Sequence, residues 1–175
     1  MDIKPTKKIW TYLSVLALVG ALGLSITQIP KKQFISSKAS GGVVLSMIKD
    51  KANLQKGEDF TIDILLDAKD TQATHADIYL TYPENVVQAE EVSVANFFPD
   101  AVEPAAVGQG TTLIRLSSAT PQKGGGIIAS VKFKAVDSGT PAIQFSNETV
   151  VMDKTQKDQV ANLVDKAIGL KFNIK

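Results

Sequence analysis

Residues His75 to Val87, reading His-Ala-Asp-Ile-Tyr-Leu-Thr-Tyr-Pro-Glu-Asn-Val-Val, constrain the fold more than any other stretch. Ala76, Ile78, Leu80 and Tyr82 fall on one side of an extended chain and His75, Asp77, Tyr79 and Thr81 on the other, the period of two expected of a half-buried strand. Pro83 then removes the N–H needed for continued pairing, and Glu84-Asn85 supplies turn chemistry before Val86 and Val87 resume.

The same pattern recurs along the chain. Val43 to Ile48 reads as a first strand, and Phe60, Ile62, Ile64 and Leu66 alternate with polar positions in a second. Thr111 to Ser118 places Ile114 and Leu116 inward, with Leu113, Arg115 and Ser117 opposite. Ile127, Ala129, Val131, Phe133 and Ala135 form the most one-sided strand, after a break at Thr120 to Gly126. The three glycines of that break are followed by no helix pattern and no Lys-Ser/Thr pair, which makes them a hairpin rather than a phosphate cradle. Asn96 to Gly110 reads as irregular, Lys154 to Val164 as a helical turn or loop, and Ile168 to Ile174 as a closing strand. Eight or nine strands with polar turns and no βαβ rhythm predict an all-β fold, an antiparallel β-sandwich over residues 42–175.

Ahead of this domain the chain changes character. After a short basic tail, residues 1–8, no charged residue appears from Ile9 to Pro30. At 1.5 Å per residue, Ile9 to Ile29 rises roughly 30 Å, the span of a transmembrane helix, with Trp10 and Tyr12 near one interface. A cleaved signal peptide competes with this reading, but Gln28-Ile-Pro-Lys-Lys lacks the small residues that cleavage requires. A signal anchor over residues 9–29 is therefore expected, with the membrane as one partner and the folded domain on the extracellular side of the cell membrane. Residues 30–41, rich in Lys, Ser and Gly, read as a flexible linker. A pilin-type start is excluded by the absence of a Glu in Ile9 to Ile26.

Composition removes whole classes of chemistry. The chain has no Cys, hence no disulfide, thiolate metal site or cysteine nucleophile, and its single histidine, His75, rules out a histidine-rich metal centre within one chain. Residues 1–40 hold six Lys and one Asp, leaving a balance of −4 on the remaining 135 residues. A mildly acidic folded part gives no reason to expect nucleic-acid binding. His75 and Asp77 could form two parts of a catalytic relay, but any His-x-Asp strand juxtaposes them, and His75 is expected as a surface residue. Asp63, Asp67, Asp70 and Asp77 lack the spacing of a Ca²⁺ loop and read as a solvated acidic face. No catalytic residue, metal site or cofactor is assigned.

Two binding readings remain open. Carbohydrate recognition would draw on Tyr79, the main outward-facing ring, and on the loop pair Phe97-Phe98, whereas Phe60, Tyr82, Phe133, Phe145 and Phe172 read as core. Protein recognition would draw on Asp77, Tyr79 and Thr81 of one strand with Leu113, Arg115 and Ser117 of another, provided that the two strands share a sheet.

The order of features resembles the cohesin domain family. The resemblance rests on Gly57-Glu-Asp-Phe-Thr-Ile-Asp-Ile-Leu-Leu66, Ala76-Asp-Ile-Tyr-Leu-Thr-Tyr-Pro-Glu-Asn-Val86 and Gly126-Ile-Ile-Ala-Ser-Val-Lys-Phe-Lys-Ala135. It implies a jelly-roll sandwich of about nine strands that is not an enzyme. It also implies a partner, a dockerin-like module carrying its own Ca²⁺, in polysaccharide degradation or cell-surface attachment. Asp77 then matches the strand Asp that meets the dockerin, and His75 stands where members often have Asn. Arg115 and Ser117 would lie on a neighbouring strand of that face. The same fold is shared with carbohydrate-binding modules, so a polysaccharide remains the alternative ligand. Two features depart from the family: Pro83-Glu84 replaces the usual Asp-Pro after the strand Tyr, and a lone module follows a membrane segment.

Overall fold

Alternating apolar side chains along consecutive extended segments can be hidden from water only if two sheets face one another. The computed structural model, which describes residues 42–153 and 161–175, has this arrangement. Its strands are β1 (Val43–Lys49), β2 (Asp59–Asp67), β3 (Ala73–Thr81), β4 (Val87–Val94), β5 (Asp100–Ala101) and β6 (Ala106–Val107), then β7 (Thr111–Gln122), β8 (Gly125–Ala135), β9 (Ala142–Phe145), β10 (Val150–Met152), β11 (Val164–Ala167) and β12 (Leu170–Lys171). One sheet runs β11-β1-β2-β8-β4. The other runs β12-β9-β3-β7-β5, with β10 also on β3 and β6 also on β7. All pairs are antiparallel except β1 with β11, which is parallel. No helix among the described residues is long and apolar enough to cross a membrane. The expected anchor at 9–29 and linker at 30–41 lie outside the described residues, as do residues 154–160.

The core is built from the inward halves of these alternations. Phe60, Ile62, Ile64 and Leu66 from one sheet and Ala76, Ile78, Leu80, Ile114 and Leu116 from the other are all buried. At one end Phe133 stacks on Phe60 with 5.6 Å between centroids, and Tyr82 meets Phe133 edge-on at 5.2 Å. The Tyr82 hydroxyl reaches Gly108 O at 3.1 Å, Thr111 O at 3.0 Å and Thr112 Oγ1 at 3.2 Å, fixing the entry to β7. Gly110 completes that corner at φ 72°, where a Cβ would lie 2.9 Å from the Tyr82 carbonyl oxygen.

Three sequence expectations are corrected. Ile64 pairs with Ala129 but Leu65 pairs with Ile127, so Ile128 is the extra residue of a β-bulge. The bulge turns Ile128 fully inward and leaves the expected core residue Ile127 40% exposed. The anticipated long break at Thr120 to Gly126 shrinks to a turn at Lys123-Gly124, because β7 continues to Gln122 and Gly124 adopts φ 75°. The expected closing strand Ile168 to Ile174 shrinks to β12 and the bridges of Ile174, and β11 of the first sheet lies just before it. β11 pairs with β1, β12 with β9, and Ile174 bridges Leu54 and Gly139, while Ile168 is 42% exposed. These interruptions, with the splitting of Asn96 to Gly110 into β5 and β6, yield twelve named strands among the described residues where about nine were expected.

On the outer face of the first sheet, Lys132 Nζ lies 2.9 Å from both Asp59 Oδ2 and Glu90 Oε2, tying β2, β8 and β4 together. The hydrogen bond from Lys132 is the largest of the effects that hold Asp59 below its ordinary pKa.

Phe133→Ala should cost about 3–5 kcal/mol, and Tyr82→Phe about 1–2 kcal/mol, in the unfolding free energy measured by denaturant titration. Because the folded Asp59 pKa is the lower one, its stabilisation is present above the ordinary carboxylate value and is lost as pH falls through the folded value. Lys132→Met should therefore remove a small, salt-screened part of the stability decline below about pH 4. Denaturant midpoints from neutral to acid pH, at low and high salt, check this.

Candidate functional site

β3 is paired on both sides, which turns its outward residues into the centre of a sheet face. On one side it meets β7 in a register that sets His75 opposite Ser117, Asp77 opposite Arg115, Tyr79 opposite Leu113 and Thr81 opposite Thr111. The condition stated from sequence, that the two outward sets share a sheet, is met pair by pair. On the other side, β10 pairs with His75 to Asp77 and β9 with Leu80 and Thr81. The gap between β9 and β10 falls at Tyr79. There Thr149 Oγ1 accepts from Tyr79 N–H at 3.1 Å and donates to Tyr79 O at 3.2 Å, replacing the missing ladder bonds.

The face carries a chain of charges. Arg115 Nη1 lies 2.6 Å from Glu103 Oε1, and its Nε lies 3.9 Å from Asp77 Oδ1. The neighbouring Tyr79 side chain first, then the Glu103 and Asp77 carboxylates, hold the guanidinium above its already high ordinary pKa. His75 Nε2 approaches Asp77 Oδ1 to 3.0 Å, an ion pair if the imidazole is protonated. That approach is not aligned as a hydrogen bond, and Oδ1 is buried without one. Asp77 thus lies between the Arg115 guanidinium and the His75 imidazole without an aligned hydrogen bond at Oδ1.

Asp77, Tyr79, Thr81, Arg115 and Ser117 lie on the outward side, as their periodicity predicted. His75 shares that side but is only 6% exposed, which corrects its reading as a surface residue. It is flanked by Ser117 and Met152 on the strands to either side. Its place is therefore beneath the face, against Asp77. The loop ring Phe98 is fully buried, and Phe97 is partly buried beside Gly126. Neither is the exposed platform considered from sequence. Sequence reasoning missed Glu103 and the structural role of Thr149. Glu103 sits in an irregular stretch with no periodicity, and Thr149 carries no signal along the chain for a bond made to another strand.

Among the described residues, Ser117 and His75 stand opposite one another across the β3–β7 ladder. No group of three or more His, Asp or Glu among them is placed to hold a metal ion. A depression of about 470 Å³ adjoins Tyr79, bounded by Thr81, Val107, Leu113, Ser146 and Glu148. It gives the polar face an apolar neighbour.

No family model matches the sequence, and no curated protein matches it either. Solved structures do resemble the fold. The sixth cohesin of scaffoldin B from Acetivibrio cellulolyticus, solved in complex with a mutant Cel5 dockerin, superimposes with a TM-score of 0.62 at 14% identity, covering 77% of this chain and 99% of that one. The chain has the cohesin fold. A non-cellulosomal cohesin from the hyperthermophilic archaeon Archaeoglobus fulgidus matches with a TM-score of 0.61 at 17% identity, covering 75% and 91% of the two chains. CaCohA2 from Clostridium acetobutylicum gives 0.61 at 16% identity, covering 77% and 91%. The cohesin fold here is divergent in sequence, and the likeness lies in the described all-β sandwich.

Thr149→Val should cost about 1–3 kcal/mol by orphaning Tyr79 N–H, while Tyr79 O keeps its bond from Ser146 N–H at 2.8 Å, and should accelerate exchange of the Tyr79 amide. Asp77→Asn should change stability by less than about 1 kcal/mol, since its buried oxygen already lacks a hydrogen bond. Thermal unfolding with amide exchange distinguishes the two.

Proposed function

We propose that this chain is a membrane-tethered, non-enzymatic docking module that binds a dockerin-like module of a secreted or surface protein. The binding surface is the outer face of β9, β3 and β7, with Asp77, Tyr79, Thr81, Arg115 and Ser117 presented to the partner and His75 supporting Asp77 from beneath. The observation that carries this reading is the β3–β7 register, which joins an aromatic, an Arg and an apolar Leu113 in one patch on a fold shared with a dockerin-bound cohesin. The Ca²⁺ in such a complex belongs to the partner. Tethering is supported by the uncharged Ile9 to Ile29 segment and places the domain outside the cell, where it holds its partner at the surface.

Carbohydrate recognition remains the alternative and is less well supported. Tyr79 is only partly exposed and lies beside Arg115, and Phe98 is inside the core. A flat sugar-stacking strip is not assembled by these rings.

The full chain, held in lipid nanodiscs, should retain a secreted protein in the presence of Ca²⁺ and release it on chelation. Asp77→Ala, Arg115→Ala and Leu113→Asp should each weaken that binding at least tenfold, on the order of a single hot-spot side chain. Affinities unchanged in all three variants would remove the site assignment. Retention of polysaccharide alone, lost on Tyr79→Ala, would move the protein to the carbohydrate reading.

A further inference from the structure

The side of the sandwich where β4 faces β5 and β6 is open. β4 pairs only with β8, and β5 and β6 only with β7, so among the described residues the outer edge of β4 carries no further strand. Which backbone groups that edge presents follows from the ladder. Ser93 stands opposite Ser130 and Val94 opposite Ala129, and Ala95 N–H donates to Ile128 O at 3.1 Å. Antiparallel pairs alternate between bonded and unbonded, so Ser93 and Ala95 turn their N–H and C=O toward β8, while Val92 and Val94 turn theirs to the open edge. The side chains of Val92 and Val94 lie on the inward side of the sheet, opposite the buried Val131 and Ala129.

Beside that edge is a groove of about 330 Å³ whose floor includes the core residues Ile114 and Leu116. Three of the six large hydrophobic side chains that the described residues expose surround it: Val94, Val107 and, between the lining residues Ala101 and Glu103, Val102. Its rim is acidic. Glu90 and Glu103 are paired with Lys132 and Arg115, while Glu91 has no ion pair among the described residues. Such charges guard an edge strand against its own copies. Two β4 strands paired antiparallel about their middle would set Glu90 against Glu91 twice, and like charges directly opposite repel. The same carboxylates attract a strand of opposite sign.

We infer that the edge of β4 binds an extended segment of another polypeptide, antiparallel to β4, in which apolar and cationic residues alternate. The ladder sets its register. Directly opposed residues share a face, so the residues facing Val92 and Val94 hold apolar side chains over the groove, toward Val102 and Val107, and point their N–H groups at β4. The residues between them carry Lys or Arg on the outer face, alongside Glu91. About five or six residues suffice, the length of an ordinary strand. Main-chain bonds and the groove supply the affinity, and the carboxylates select the sign of the charge. This inference does not rest on the docking reading of the β3–β7 face.

The test uses the full chain in neutral detergent micelles and a synthetic hexapeptide alternating lysine and valine, with binding read by fluorescence anisotropy. N-methylation of its valines should weaken binding about tenfold or more, because those amides face β4, and N-methylation of its lysines less than about twofold. Equal losses, or the larger loss on the lysines, would overturn the inference, as would no binding at all. A peptide alternating glutamate and valine should not bind, and equal affinity for it would overturn the inference too. Glu91→Lys should weaken the lysine–valine peptide about threefold with the unfolding transition unchanged, and an unaltered affinity would count against the site. Saturating peptide should slow amide exchange at Val92 and Val94 about tenfold. Protection of those amides without peptide, rising with protein concentration, would give the edge to a second copy and overturn the inference.

Discussion

The pairing of β3 with β7 is the constraint on which both the fold and the proposed function depend. One register performs two tasks. It turns Ala76, Ile78 and Leu80 inward beside Ile114 and Leu116, and in the same step it sets Asp77 against Arg115 and Tyr79 against Leu113 on the outside. A slip of one residue would move each set to the opposite face, exposing the core and burying the charges. The inner face therefore guarantees the outer one. Burial of an aliphatic side chain contributes about 1.5–3 kcal/mol, more than the partly exposed ion pairs of the face could supply on their own.

That division explains why the outer face tolerates imperfect bonding. Asp77 keeps a buried oxygen without an aligned donor, and Arg115 is shared between Glu103 and Asp77. Such a network adds little to stability, and under the proposed docking reading its charges would meet those of a partner. Thr149 plays the opposite part. Its hydroxyl closes the ladder where β9 and β10 diverge, so that Tyr79 sits on a rigid backbone despite a break in the adjacent edge.

Much of this was legible in the sequence, for a definable reason. Alternation along Phe60 to Leu66, Ala76 to Tyr82 and Thr112 to Leu116 is local, so the sandwich and the outward set Asp77, Tyr79, Arg115 and Ser117 could be read directly. What escaped depended on the neighbouring strand. The bulge at Ile128 exists only in relation to β2, and it reverses the expected roles of Ile127 and Ile128. His75 obeys its periodicity, but lies covered between Ser117 and Met152, which no count along one strand can reveal. The division of the C-terminal segment between two sheets, with Ile174 bonded to the loops at Leu54 and Gly139, likewise lies beyond any local pattern.

The most direct test of the central claim is a methyl-detected NMR titration of the protein with the dockerin-like partner proposed for it. The account predicts that Leu113, Val107 and Thr81, around the β3–β7 face, shift and broaden, while Ile48, Leu65 and Ile127 on the outer face of the other sheet do not. A footprint centred on Ile48, Leu65 and Ile127 would contradict it, and would place recognition on the opposite side of the sandwich.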